Sequence, residues 1–148
     1  MIISAIFGNS DMNTYTYDEL EKGHIEKFDV TITEGMLSRF LEITGDSNPM
    51  HTDAEFAKSK GYEDRICYGM LTSAFLSTLA GMYLPGEKSL IHSVETIFKS
   101  PVYIGDTLTI SGEITEKNDN FKVLDVKVQI VNQNGKKVVR GKMQIGMI

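Results

Sequence analysis

The residues best suited to chemistry lie in one polar stretch, residues 45–53. It contains an acid, Asp46, and an imidazole, His51, five positions further along. In a rigid loop, a carboxylate and a neutral histidine can hold one water molecule, remove its proton and deliver a proton elsewhere. The spacing leaves a second interpretation open, in which Asp46 braces the loop and His51 begins a helix. Asn48 lies between them and either contacts a substrate or forms the turn before Pro49.

A second candidate is Gly69, which lies 18 residues after His51 in the longest charge-free run of the chain, residues 66–86. Amides at the start of a helix point outward and carry partial positive charge. A glycine there lets a carbonyl oxygen approach the N–H, which is the geometry of an oxyanion hole. The alternative is a glycine required for tight packing. Small residues recur every four positions along this segment and form a ridge open to a strand or a ligand: Gly69, Ser73, Ser77 and Gly81.

Composition limits the class of protein. The 148 residues suit one domain, residues 1–148, and 41% hydrophobic with 24% charged residues is ordinary for a globular protein. Lys and Arg number 15 against 20 Asp and Glu, and the net charge of −5 argues against nucleic acid as a partner. The single cysteine, Cys67, excludes an internal disulfide and favours a reducing, cytoplasmic location. We expect Cys67 to be a small buried residue, although a nucleophile is the alternative.

Membrane, metal and nucleotide sites are not indicated. The charge-free run has 21 residues, of which eight are Gly, Ser, Thr or Pro, and this is too polar for a membrane span. The three histidines and one cysteine match no zinc spacing, and we expect His92 to be a packed strand residue. The chain has neither a glycine-rich phosphate loop nor a dinucleotide fingerprint. We therefore expect no metal, no redox cofactor and no membrane partner.

Capping residues and periodicity predict the helices around the polar stretch. Thr33 is expected to cap a first helix, and Gly45 ends it by accepting a left-handed conformation. Asp53 is expected to cap a second, short helix, so that residues 46–52 form a loop between the two. Residues 69–84 are apolar nearly all round, which predicts a buried helix of 16 residues. At ~1.5 Å per residue it would be ~24 Å long.

The remaining segments alternate apolar and polar residues, a pattern typical of strands. One strand precedes the helices and at least four follow residue 89, and Asn134-Gly135 predicts a tight type I′ hairpin. Each strand has one apolar face, which an antiparallel sheet covered on one side requires. The apolar helix is the available cover, so we expect an α+β fold in which an antiparallel sheet wraps around one central helix. Residues 1–14 are either an extra strand or a contact with a neighbouring subunit.

Residues 40–53, with the motif G-D-x-N-P-x-H, resemble the signature of the MaoC-like, (R)-specific enoyl-CoA hydratases. The similarity continues through Gly69-Met70-Leu71, Pro101-Val102 and residues 105–108, and it covers about residues 15–147. The resemblance implies a hot dog fold and a homodimer with active sites where the subunits meet. It also implies reversible syn addition of water to a trans-2-enoyl thioester, which gives an (R)-3-hydroxyacyl thioester.

The resemblance also implies roles for individual residues. By position, Asp46 and His51 activate water and deliver the proton, while the Gly69 N–H holds the thioester oxygen. Asn48 matches the motif asparagine and orients the loop, and Ser77 matches a serine near the site. No cofactor is implied, since coenzyme A or acyl carrier protein is part of the substrate.

Tyr68 is a departure, because the family usually has histidine before Gly-Met-Leu. The oxyanion donor is the Gly69 amide, so Tyr68 leaves it unchanged. Tyr68 is expected to affect substrate preference or the shape of the substrate tunnel. Ser73 and Ser77 are then expected in the wall beside the acyl chain. Three alternatives stay open: a hot dog thioesterase, a hydratase of a non-fatty-acyl thioester, and a silent acyl-thioester-binding subunit. The intact acid, imidazole and glycine favour the hydratase, while chain length, carrier and pathway are left open.

Overall fold

Five strands form one antiparallel sheet within residues 11–148, the part of the chain that the computed structural model describes. They are β1 Ile25–Thr31, β2 Ser89–Phe98, β3 Thr107–Asn118, β4 Val123–Val131 and β5 Lys137–Met147. Their order across the sheet is β1-β3-β4-β5-β2, so β1 and β2 are the edges. The inner strands bury the face that alternation predicts: Leu108, Ile110, Ile114, Leu124, Val126, Val128 and Ile130.

The helices of the described region precede the last four strands. They are α1 Glu34–Thr44, α2 Pro49–Thr52, α3 Ala54–Ser59 and α4 Gly69–Thr78, with a 3₁₀ turn at Tyr17–Glu19. The predicted caps are confirmed. Thr33 Oγ1 accepts from Met36 N at 3.2 Å, and Asp53 Oδ1 accepts from Phe56 N at 3.1 Å. Gly45 ends α1 with φ 71°, in the left-handed region.

The helix α4 is the central helix of the fold. It buries Thr72, Phe75 and Leu76 in the same core as the inner strands, which confirms the sheet wrapped around one helix. The expectation of one α-helix over residues 69–84 is wrong beyond Thr78. Residues Leu79–Tyr83 form a π-helical turn, in which Leu84 N donates to Leu79 O at 2.8 Å. Leu79 and Leu84 at the two ends of this turn are fully buried, and both side chains lie near Gly112 of β3.

The β4–β5 hairpin differs from the predicted type I′ turn, which needs positive φ at both central residues. Gly135 has φ 74°, but the only non-glycine residue of positive φ among residues 11–148 is Lys122. Asn132 N donates to Lys136 O at 2.9 Å, which closes a longer loop. The side chain of Asn132 stabilises this loop, because its Oδ1 accepts from the amides of Asn134 and Lys136, both at 3.0 Å.

The edge strand β2 breaks the expected pattern of one buried and one polar face. Leu90 is 52% exposed, Val94 47% and Phe98 50%. His92, which we expected to be packed, is exposed as well. The edge position alone does not cause this exposure, since the other edge strand, β1, buries Phe28 and Val30. No segment of residues 11–148 covers these apolar side chains of β2.

The start of the described chain contacts the segment after α4. Asn13 N donates to Met82 O at 2.9 Å, and Thr14 forms an isolated bridge with Gly86. Residues 13–14 therefore pack within their own protomer and form no strand of the main sheet. For residues 1–10, which lie outside the described residues, the two alternatives given above stay predictions.

Candidate active site

The polar stretch is shaped by side chains that cap its own backbone. Asp46 Oδ1 accepts from Asn48 N at 3.1 Å, and Asn48 Oδ1 accepts from Met50 N at 2.9 Å. The second bond makes Asn48 the cap of α2, with Pro49 as its first residue. The expected loop at residues 46–52 is therefore a turn followed by one helical turn. Asp46, at the start of this turn, is exposed.

The imidazole of His51 is fixed through one nitrogen. Nδ1 lies 2.7 Å from the backbone oxygen of Ile66, and the residue is half-buried. Because a carbonyl oxygen only accepts, Nδ1 is the protonated nitrogen of the neutral ring. This leaves the lone pair of Nε2 free to accept a proton, as a general base requires.

Tyr68 joins the polar stretch to the central helix. Its hydroxyl donates to the backbone oxygen of Asp46 at 2.7 Å. Its ring lies against His51, with 4.1 Å between ring centroids, and against Phe40, at 4.7 Å. The side chain is only 2% exposed, and burial, followed by the charge of Asp46, raises the pKa of Tyr68. The hydroxyl therefore stays a neutral donor near pH 7.

Gly69 is the first residue of α4, and the preceding Tyr68 makes no side-chain cap hydrogen bond. The first amides of a helix have no partner within the helix, so those of α4 are available to a ligand. The ring of Phe98 packs on the glycine: a Cβ built on Gly69 would lie 3.0 Å from Phe98 Cε1. A side chain at this position would therefore require the Phe98 ring to move.

The three predicted catalytic residues line one cleft. Its volume is about 560 Å³, and it is lined by Phe40, Thr44, Asp46, His51, Tyr68, Gly69, Met70 and Phe98. A second cleft of about 300 Å³ shares His51, Gly69 and Phe98 with the first. It continues between Cys67, Thr72, Val102 and the start of β5 at Val138 and Val139, which are buried. Because the two clefts meet at His51 and at the start of α4, they suit a substrate that extends in two directions from its reacting group.

The other predicted site residues lie elsewhere. Asn48 is used as a helix cap and does not line either cleft. Ser73 Oγ donates to Thr96 Oγ1 at 3.5 Å, which links α4 to the edge strand. Ser77 is exposed, two helical turns from Gly69. Their assignment to the acyl wall stays a prediction.

Three features of the site were not predicted from the sequence. The Ile66 carbonyl fixes the His51 tautomer, the Tyr68 hydroxyl bonds the Asp46 backbone, and Phe98 lines both clefts. Backbone acceptors carry no residue-type signal. The available signal for Phe98 is the aromatic residue at the end of an alternating strand.

Cys67 is a buried thiol, as expected. Its Sγ is 3.7 Å from Thr72 Oγ1, and burial raises its pKa to about 11 from 9.0. At neutral pH the group is protonated, so the thiolate that a nucleophile needs is scarce.

We expect Cys67 to react slowly with iodoacetamide at pH 8 in the native protein and rapidly in denaturant.

Because the pKa of Cys67 is higher in the folded protein, this thiol's contribution to stability is full below about pH 9 and is lost as pH rises towards 11. Urea unfolding of wild type and Cys67→Ser across that pH range checks this. An equal pH slope for both proteins would contradict it.

Between residues 11 and 148, no cluster of three or more His, Cys, Asp or Glu side chains is arranged to hold a metal ion. None of the helices in that range has the length and apolarity that crossing a membrane requires.

Known proteins resemble this chain over most of its length. The MaoC like domain model matches residues 19–136. The (R)-specific enoyl-CoA hydratase of Aeromonas caviae is 30% identical over 122 residues, 82% of this chain and 91% of that protein. The enzyme of the same name from Rhodospirillum rubrum is 30% identical over 105 residues, 71% of this chain and 73% of that protein. The solved structure of R-hydratase PhaJ1 from Pseudomonas aeruginosa superposes with a TM-score of 0.83 and 34% identity, over 88% of this chain and 84% of that one. The chain therefore belongs to the MaoC-like domain family and has its hot dog fold.

Proposed function

We propose that this protein is an (R)-specific hydro-lyase that adds water reversibly to trans-2-enoyl thioesters and gives (R)-3-hydroxyacyl thioesters. The hydratases of similar sequence and structure support the reaction class. The observation that carries the proposal is the cleft in which Asp46, His51 and the start of α4 at Gly69 meet. An acid, a base and an oxyanion donor around one cavity are the groups that this addition needs.

Each group is assigned a step in this proposal. The water is placed between the Asp46 carboxylate and His51 Nε2, and its oxygen bonds to C3 of the enoyl group as one of its protons passes to this pair. The electrons of the double bond move towards the thioester oxygen, which becomes an enolate held by the Gly69 N–H. A proton returned from the pair to C2 on the same face completes the syn addition. The net change is the addition of H₂O, so no electron donor or acceptor is needed.

The substrate enters through the shared region of the two clefts. Phe98 and Gly69 border both, so a thioester carbonyl placed at the Gly69 amide has space on either side. We place the acyl chain in the 300 Å³ cleft, since its inner wall of Cys67, Val138 and Val139 is buried and apolar. The carrier arm, from coenzyme A or acyl carrier protein, then lies in the wider one. A cytoplasmic location completes the proposal, since a lone buried cysteine suits a reducing compartment.

The direct test is the loss of enoyl-thioester absorbance when wild type is mixed with crotonyl-CoA or a longer enoyl-CoA. The proposal expects hydration and a product that a dehydrogenase specific for the (S) enantiomer does not oxidise. Release of free thiol without hydration would instead identify a thioesterase. A folded protein that changes none of these thioesters would contradict an enoyl-CoA substrate. The same assay with other acyl groups and with acyl carrier protein thioesters would then distinguish a hydratase of another substrate from a silent binding subunit.

We also propose that two copies pair through β2 to form a homodimer. The edge strand exposes Leu90 and Val94 beside unpaired backbone groups, and the neighbouring α4 exposes 66% of Met70. An exposed apolar edge invites pairing with another strand, and antiparallel pairing of two identical edges has twofold symmetry. Such pairing would cover the apolar groups and bring a partner beside Phe98 and the cleft.

We expect Val94→Lys to weaken this dimer about tenfold or more, because the pairing places a charge at the apolar edge of each copy. Sedimentation of wild type should give the mass of two chains, and the variant should dissociate at a higher concentration. Phe121→Lys is the matched control, since Phe121 is an exposed aromatic residue on the β3–β4 turn. A wild type that sediments as one chain would contradict the dimer.

A further inference from the structure

Tyr68 contacts two of the proposed catalytic residues, Asp46 and His51, and directly precedes the third, Gly69. Its phenol oxygen is 2.7 Å from the backbone oxygen of Asp46, 22 residues earlier in the chain. Its ring is tilted 32° on the ring of His51 at a centroid distance of 4.1 Å. Its own backbone is the cap position immediately before Gly69. No other contact of the described site joins the acid, the imidazole and the helix start through one side chain.

The hydrogen bond of Tyr68 to Asp46 leaves its hydroxyl no proton to donate to a substrate. A phenol has a single proton to donate, and here the Asp46 carbonyl accepts it. The ring packs against Phe40 and His51, and 2% of the residue is exposed. The group therefore acts on the position of its neighbours and not on the reacting atoms.

The hydrogen bond is also the means by which α4 holds the exposed acid. Asp46 follows the left-handed Gly45, and its carboxylate is tied only to the next turn through Asn48 N. These contacts are local. Ile66, before α4, holds the later part of the stretch, since its oxygen lies 2.7 Å from His51 Nδ1 and its N–H donates to Met50 O at 3.1 Å, but neither bond reaches Asp46. The Tyr68 bond fixes the backbone of that turn to the residue before the oxyanion donor.

We propose that Tyr68 is a positioning residue that sets the Asp46 carboxylate and the His51 imidazole at the distance from the Gly69 amide that hydration requires. This inference rests on the proposed function. Small misplacement of catalytic groups costs rate steeply, since a displacement of about 1 Å can cost ~10²-fold. Substrate binding depends on the clefts as a whole, so the effect belongs in kcat and not in KM.

The test is Tyr68→Phe, which keeps the ring and removes only the hydroxyl. We expect kcat for hydration to fall about 10- to 100-fold while KM changes less than about threefold. Tyr17→Phe is the matched control, because Tyr17 donates a bond of similar length, 2.8 Å, to Asp119 Oδ1 away from the site. The control should keep wild-type kcat. Unchanged kcat in Tyr68→Phe, or an equal loss in the control, would overturn the inference.

A second readout is independent of catalysis. In ¹⁵N spectra, Tyr68→Phe should shift or broaden the amide signals of residues 45–51 and leave those of β3 and β4 in place. Unmoved loop signals would overturn the positioning role even if the rate fell. An inactive wild type whose loop signals respond to Tyr68→Phe would refute the proposed reaction and leave Tyr68 as the residue that holds the loop.

Discussion

Asp46→Asn is expected to reduce hydration of an enoyl thioester by about 10³-fold, within the range for a general acid–base group. The amide keeps the shape of the carboxyl side chain, and its oxygen can still accept from Asn48 N, a bond now made by Asp46 Oδ1 at 3.1 Å. What it loses is the ability to take the proton of water. His51→Ala is expected to cause a loss of similar size, because it removes the free Nε2.

The measurement is kcat with crotonyl-CoA, after circular dichroism and sedimentation have shown that each variant keeps the wild-type fold and mass. Asp53→Asn is the matched control. It makes the same change seven residues along the chain, where the carboxylate caps α3 through Phe56 N and asparagine caps equally well. Near-wild-type turnover in Asp46→Asn would refute the paired-base mechanism.

The local parts of this site could be predicted from sequence because each depends on its own residue types. Thr33, Gly45 and Asp53 set the ends of the helices by capping, and these ends were correct. Alternation gave the buried faces of β3 and β4 for the same reason. The motif located Asp46 and His51 without any knowledge of the fold.

The convergence of the site could not be derived from periodicity, because it depends on contacts between distant segments. Cys67 N donates to Val102 O at 2.7 Å, and Ile66 bridges Tyr103, so β-type contacts place the start of α4. Tyr68 and Asp46, which share a hydrogen bond, are also distant in sequence, 22 residues apart. The basis for predicting that Gly69 lies beside Asp46 and His51 was the resemblance to the family.

The failed expectations share a physical cause, which is competition from contacts outside the local pattern. Buried packing of Leu79 and Leu84 favoured a π turn over continued α-helix. The side chain of Asn132 favoured a longer hairpin loop over type I′. Alternation in β2 predicted a buried face, but Leu90, Val94 and Phe98 stay exposed because no segment of residues 11–148 covers them.

Gly141→Ala is expected to destabilise the fold by about 3 kcal/mol or more, at the upper end for an overpacked position. Gly141 lies in β5 opposite Thr96 of β2. A Cβ at this position would lie 1.9 Å from the Glu95 backbone oxygen and 3.2 Å from Thr96 Cα. Both are main-chain atoms, so no side-chain rotation can relieve the overlap. The edge strand would have to move away from β5.

Urea unfolding at one fixed protein concentration measures this effect, since the stability of a dimer depends on concentration. Gly35→Ala is the matched control: a Cβ there would meet only Thr33 Oγ1, at 3.9 Å, and the position lies inside α1. Alanine in a helix stabilises by about 0.5–1 kcal/mol relative to glycine, so the two substitutions should act in opposite directions. A Gly141→Ala protein as stable as wild type would show that β2 can shift without cost. Because Phe98 ends that strand and packs on Gly69, any variant that folds with β2 displaced should also open the cleft and lose activity.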